Sequence, residues 1–353
     1  MGLETSPINR LFPIFVRTGR SPRHYKAGFI NHQGEIAIDP QFDHAYPFRE
    51  GFASVRKGES WGAIDLSGEM VIPLCSGQPL VFSEKLAEFS SGGKRGVIDT
   101  AGRVIVPARY RSISYFSVGL ACVLTDDLYG YIDSFGTEII PPQYDDARGF
   151  SEGLAAVKMS GVWGYIAQDG SLAISPHFVC ERGMAGPFRE GLARVALKGK
   201  WGHINRNGEF VVPPRFDMAY EFSENRAVVI LAKREGYVNR EGELVIEANY
   251  RRAGAFSEGR AAVDTGTGAA HKGIADACET GFINQNGEFV ISPRFLSVGR
   301  FQDNRCLVET EKEIGYIDPT GDFVWSTAWV ESGSFDPLHL FPPEQSASVA
   351  SRG

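Results

Sequence analysis

The chain has 353 residues, a formal net charge of −7, 43% hydrophobic and 22% charged residues. Glycine and proline together make up 60 of the 353, about 17%, where roughly 12% is ordinary, and 24 phenylalanines and 12 tyrosines accompany them. This composition disfavours a helix bundle, a coiled coil and a disordered chain, and suits many short strands joined by tight turns.

Read from the N-terminus, residues 1–10 form a leader without the apolar stretch of a secretory signal. Met1-Gly2 with Ser6 matches M-G-x-x-x-S/T, a myristoylation pattern, but a plain soluble start is the reading taken. A first strand is expected at about Leu11–Val16. From there a unit of Gly, a variable and usually aromatic residue, Ile or Val, then usually Asp or Asn recurs nine times, at Gly28, Gly62, Gly96, Gly130, Gly164, Gly202, Gly236, Gly281 and Gly315. The spacings are 34, 34, 34, 34, 38, 34, 45 and 34 residues. A second glycine follows each by six residues, from Gly34 to Gly321. An aromatic closes each unit: Phe48, Phe82, Phe116, Phe150, Phe188, Phe222, Phe256, Phe301 and Phe335.

A period of 34 residues also belongs to helical tetratricopeptide arrays, so the contents of the unit decide the fold. In the fourth unit, Tyr129-Gly-Tyr-Ile-Asp133 is followed by Ser-Phe-Gly136, Thr-Glu-Ile-Ile-Pro-Pro142, the closing Phe150 and Leu154-Ala-Ala-Val157. Short runs of β-formers alternate with Gly, Pro, Asp and Ser, and glycines and prolines at this density break any pair of helices. Each unit therefore holds strands a (Gly-Tyr-Ile-Asp), b (Glu-Ile-Ile-Pro) and c (Leu-Ala-Ala-Val). Pro40, Pro73, Pro107, Pro142, Pro176, Pro214 and Pro293 are read as the ends of strand b, because proline cannot donate to a ladder. The aromatics that follow (Phe42, Tyr110, Tyr144, Phe178, Phe216, Tyr250, Phe295, Trp329) and the closing phenylalanines are read as packing between units. The second unit departs, with Ser76 in that place.

Trp61-Gly62, Trp163-Gly164 and Trp201-Gly202, together with the Phe-Ser/Arg-Glu-Gly corner, resemble the WG-repeat family of tandem β-repeat proteins. The resemblance covers about residues 11–336 and is best from 129 to 224. Ala27, Arg95, Tyr129, Glu235, Thr280 and Ile314 replace the tryptophan elsewhere. It implies a β architecture with a broad scaffold role and no particular reaction. The expected fold is an all-β array of nine ~34-residue repeats of three strands, propeller-like or strongly curved, with an open β-solenoid as the alternative. In a ring, the N-terminal strand could complete the last unit. Nine units exceed the usual ~4–8 blades, and 34 residues is short for a four-stranded blade. The stretch from Pro343 is small and polar, and the tail 337–353 is expected to be disordered.

No motif argues for catalysis. The glycines match neither a phosphate-binding P-loop nor a strand–G-x-G-x-x-G–helix unit. Asp65, Asp99, Asp133 and Asp318 each precede a turn glycine by three residues and are read as turn caps. G-x-S-x-G occurs around Ser60 and Ser151, but a strand follows each, where a nucleophile elbow needs a helix. The seven histidines share no ligand spacing, the five cysteines show no CxxC, and reduced thiols are expected. No basic run exceeds two residues and the balance is acidic, which disfavours nucleic acid. No run is long enough to cross a membrane.

Departures from the period are the candidate binding elements. Extra residues fall near Cys180–Met184, with Glu181 and Arg182, and in 265–279, with His271, Lys272, Asp276 and Cys278. Trp61, Gly62, Trp163, Gly164, Trp201, Gly202, Phe150 and Phe188 are assigned to the repeat itself. The expectation is a cytoplasmic, non-catalytic scaffold that binds a protein partner, with no metal or cofactor. A carbohydrate or cell-envelope binder, motivated by the repeated aromatics, is the alternative. An enzyme using the 265–279 loop comes last.

Overall fold

A computed structural model describes residues 10–18, 25–180, 183–266 and 279–328. The described chain is all β and forms nine small antiparallel sheets in sequence order. Blade 1 consists of β1 (Phe12–Arg17), β2 (Tyr25–Ile30) and β3 (Ile36–Phe42). Blade 2 consists of β4 (His44–Ala45), β5 (Phe52–Lys57), β6 (Ser60–Asp65) and β7 (Met70–Ser76). The remaining blades span 82–110, 112–144, 146–178, 193–216, 218–250, 252–295 and 297–328. Strands a, b and c are present in every blade, and a short fourth strand, d, is added at the far edge in seven of them, giving the order d-c-a-b. Strand d is only two residues long in most blades, which is how a 34-residue unit accommodates four strands. Among the described residues blade 6 has no d strand, and the extra residues of the sequence near 180–184 precede it.

Strand c reads as a continuous apolar run because both of its faces are covered; Leu120–Ala121–Cys122–Val123 is fully buried. Strand b behaves differently. Its seven residues bury only the third and the seventh, as in Glu138–Tyr144. The pairing of a with b shows why. Ala27 faces Phe42 while Phe29 faces Ile38, so b carries extra residues that bulge over the signature glycine. A Cβ on Gly164 would sit 2.6 Å from the Ile174 carbonyl oxygen and 2.8 Å from the Pro176 nitrogen, a distance no side chain tolerates. The WG glycine is thus a close-approach glycine. The prolines sit in the bulge, where the ladder is interrupted and no donor is needed. Strand b continues past them, two or three residues beyond where the prolines alone would end it.

The a-to-b turn is held as its sequence suggests. The Asp65 carboxylate accepts the backbone N–H of Ser67 and of Glu69, and Gly68 completes the turn at φ 86°. Asp99, Asp133 and Asp318 make the same pair of bonds.

The core lies between blades. Its buried clusters each join neighbouring sheets: Tyr144 and Ile140 of blade 4 pack with Phe150 and Val157 of blade 5, and Phe178 and Trp163 of blade 5 with Phe188 and Val195 of blade 6. One cluster combines Phe12, Ile14 and Phe29 of blade 1 with Ile64 of blade 2 and with Leu307, Ile314 and Tyr316 of blade 9. The ring is therefore closed, and the open solenoid is excluded. Closure does not use strand exchange. β1 pairs with β2 through all six residues, inside its own blade. The seam is instead side-chain chemistry: Tyr316 donates its hydroxyl hydrogen to the Pro13 carbonyl at 2.9 Å, Phe12 lies 5.4 Å from the Tyr316 ring, and Arg10 pairs with Asp303. Arg305 donates to the His32 carbonyl, and His32 donates to the Asp303 carbonyl.

Candidate binding surfaces of the ring

The Phe-Ser/Arg-Glu-Gly corner joins d to c and links each blade to the next. The serine hydroxyls of Ser83, Ser151, Ser223 and Ser257 donate to the carbonyls of Phe116, Phe188, Phe256 and Phe301 at 2.7–2.8 Å. The glutamate two residues after the closing phenylalanine also binds the next corner. Glu50 accepts the N–H groups of Glu84 and Lys85, Glu84 that of Gly119, Glu152 that of Gly191, Glu190 that of Asn225, Glu224 that of Gly259, and Glu258 those of Asp303 and Asn304. These glutamates sit at φ 51–54°, a left-handed conformation held by the bonds. Ser151, the serine of one G-x-S-x-G string, is one of these bolts; its hydroxyl is committed to a carbonyl.

The corners face the hole of the ring. Arg49 of blade 2 lies over the Tyr115 ring of blade 4 at 5.0 Å, passing blade 3, a reach possible only on the narrow side of wedge-shaped blades. On the opposite arc a cavity of about 620 Å³ is lined by the inner segments of blades 5 to 9, among them Arg189, Tyr220, Glu221, Ala255 and Arg300. Its volume falls in the range of small-molecule sites. Three carboxylates line it and each is engaged. Glu221 accepts from Arg194 Nε at 2.7 Å, while Glu152 and Glu190 hold backbone N–H groups and have Arg206 and Arg240 at 3.9 and 4.0 Å.

The outer edge is chemically different. The first residue of strand b is apolar and exposed in five of the nine blades: Ile36, Met70, Val104, Leu172 and Phe289. In the fourth blade Phe135, in the a-to-b turn, is 81% exposed. Sharing one repeat position, the strand-b residues come to the same side of successive blades.

The signature residues serve the packing. Trp61, Trp163 and Trp201 are buried, with Arg56, Arg148 and Arg194 over their rings at 5.2–5.9 Å. Phe150 and Phe188 are buried against Tyr131 and Tyr165. Of the aromatics ending strand b, Phe42, Tyr110, Tyr144, Phe178, Phe216 and Phe295 are at most 2% exposed. They cannot form a ligand-stacking ladder, which removes the feature that motivated a carbohydrate binder. Trp329 and Phe335 lie outside the described residues, as do all six loop candidates: Glu181, Arg182, His271, Lys272, Asp276 and Cys278.

Burial sets the remaining titratable groups. The Cys122 thiol is pushed up to about 12 by desolvation, and Cys306 is raised for the same reason. Among the described residues Cys75, Cys122, Cys180 and Cys306 are free thiols, and no group of three or more His, Cys, Asp or Glu could hold a metal. No helix among the described residues is long and apolar enough to cross a membrane.

The fold and the interlocked corners define a nine-bladed β-propeller. The model of the WG containing repeat matches residues 28–60, 96–129, 129–163, 163–201, 201–231, 236–266 and 281–312, more than half of the chain. The protein belongs to that family. No curated protein sequence matches it. Among solved structures it is similar to a eukaryotic initiation factor, with TM-score 0.63, 12% identity, and 91% of this chain covering 96% of that one. It is also similar to the dihydro-heme d1 dehydrogenase NirN, with TM-score 0.47, 14% identity, and coverage of 92% and 74%. Hsv2 of Kluyveromyces lactis gives TM-score 0.39, 9% identity, and coverage of 80% and 95%. At these identities the likeness concerns the fold alone.

Proposed function

We propose that the protein is a non-catalytic scaffold that presents its ring to a protein partner, acting in the cytoplasm. The observation that supports this reading is the exposed apolar series at the start of strand b. The repeat buries most of its aromatics between blades, yet leaves Ile36, Val104 and Leu172 more than half exposed, and Phe135, in the a-to-b turn of blade 4, is exposed as well. Apolar side chains repeated on one side of a rigid ring form a surface that association would cover. The folded ring supplies rigidity, so little ordering entropy opposes docking.

The test is co-purification from a cell extract of the source organism, with quantitative mass spectrometry, using the full chain and a variant carrying Ile36→Ser, Val104→Ser, Phe135→Ser and Leu172→Ser. All four positions are exposed, so the fold is retained. The expected result is a defined protein captured by the parent chain and lost from the variant. A parent chain that captures nothing beyond an unrelated propeller overturns the scaffold reading. A partner retained by the variant moves the contact away from this edge.

A further inference from the structure

The repeat provides its own controls, because each position is sampled eight or nine times in one molecule. The residue before the closing phenylalanine faces the hole of the ring. It is Pro47, Val81, Tyr115, Gly149, Pro187, Glu221, Ala255 and Arg300 in successive blades. Six of the eight are uncharged, so the scaffold does not require a charge there. The residue after the phenylalanine is Arg49, Ser83, Ser117, Ser151, Arg189, Ser223, Ser257 and Gln302. Four of its serines bolt neighbouring blades together, and Arg189 gives that bond up. Arg49, the other arginine in this series, is accounted for by its stacking on Tyr115.

Arg189 and Arg300 line the same 620 Å³ cavity, and both side chains are exposed to it. Among the described residues neither has an ion pair or a side-chain hydrogen bond. The carboxylates around them are already held: Glu221 by Arg194, Glu152 beside Arg206 and Glu190 beside Arg240. What remains in the cavity without an ion pair or a side-chain hydrogen bond is therefore two guanidinium groups, with Glu221 acting on Arg300 only through space. The rest of the lining is mostly small or apolar, with Pro187, Phe222, Val228, Ala253 and Ala255. The surrounding wall desolvates Arg300 and lowers its pKa from the usual range, with Glu221 opposing the shift.

We propose that the cavity inside the ring binds a small organic anion, with Arg189 and Arg300 gripping its phosphate or carboxylate group and the apolar wall covering the remainder. A guanidinium offers forked donors that match the geometry of both oxyanions. The volume suits a metabolite-sized ligand and is too small for a folded partner. This site is separate from the outer edge, and it stands or falls independently of the scaffold reading.

The test is isothermal titration calorimetry of the full chain with sodium phosphate and, in a second arm, sodium succinate, at ionic strength held constant with sodium chloride. The variants are Arg300→Ala, which installs the residue found at 255, and Arg189→Ser, which installs the bolt serine. Both replacements are residues the same fold already uses at the same place. The expected result is saturable one-to-one binding to at least one anion, weakened about tenfold or more in each variant. The melting temperature of Arg189→Ser should equal or exceed that of the parent, as the restored bolt implies. Binding in the phosphate arm alone assigns a phosphate ligand, and in the succinate arm alone a carboxylate. No saturable binding of either anion up to about 10 mM, or an affinity in both variants equal to that of the parent chain, overturns the proposal.

Discussion

His203 occupies a position that is tyrosine in four other blades. Tyr131, Tyr165, Tyr237 and Tyr316 send a hydroxyl hydrogen to a backbone carbonyl of the following blade at 2.8–2.9 Å. His203 serves the same carbonyl position through Nε2, donating to Tyr220 O at 2.7 Å. That bond requires hydrogen on Nε2 and leaves Nδ1 buried without a partner. Desolvation lowers the imidazole pKa to about 3, with Glu221 opposing and Arg194 reinforcing the shift. The unfolded chain, with a histidine near 6.5, binds the proton that the folded ring refuses. Stability from neutral His203 is complete above about pH 6.5 and is lost progressively as the pH falls toward 3, a total on the order of 5 kcal/mol. Replacement by the sibling residue, His203→Tyr, is expected to flatten the decline of melting temperature over that window. An unchanged slope would assign the acid sensitivity elsewhere, for example to His44, whose pKa burial lowers to about 4.

Among the structural elements, the corner of blade 4 is the weak joint. Every neighbouring corner carries a glutamate at positive φ that clasps the following blade, but here the residue is Val118, at φ 52° and exposed. A β-branched residue is the worst choice for this conformation, and a valine supplies no carboxylate for blade 5. Val118→Glu is expected to raise stability by about 1–2 kcal/mol, combining relief of strain with a charge-assisted bond. Chemical denaturation measures it, and Val118→Gly separates the two contributions because it relieves strain alone. A loss of stability on introducing glutamate would show that the clasp is not what holds the corners.

For the whole molecule, closure rests on a seam without a shared strand. Tyr316 bridges blade 9 to Pro13 of blade 1, and Arg10, Asp303, His32 and Arg305 cover the mouth of that joint. Tyr316→Phe keeps the ring packing against Phe12 and removes only the hydroxyl. It leaves the Pro13 carbonyl buried and unpaired, at about 1–3 kcal/mol. The expected readout is a lower melting temperature together with faster hydrogen exchange concentrated in β1 and β2. Uniform loss of protection around the ring would mean that the seam opens no earlier than any other joint.

Much of this architecture is legible in the residues. The unit length, the three main strands, the turn caps at Asp65 and its counterparts and the burial of the aromatics all follow from local chemistry repeated nine times. A turn glycine or an apolar strand c has the same consequence wherever the repeat falls. The WG glycine was visible as a signature but not as a close approach, because its constraint comes from strand b bulging across it. The binding arginines were hidden for a related reason. Arg189 and Arg300 lie 111 positions apart in the chain, and only reading the columns around each closing phenylalanine would have marked them as departures. The sequence by itself determined what each blade is, since a blade is a local object. Tertiary structure decided that nine blades close, that β1 stays in its own sheet and that two arginines face one cavity. Those facts depend on the small rotation from blade to blade, which no single unit encodes and which becomes visible only when the first blade meets the last.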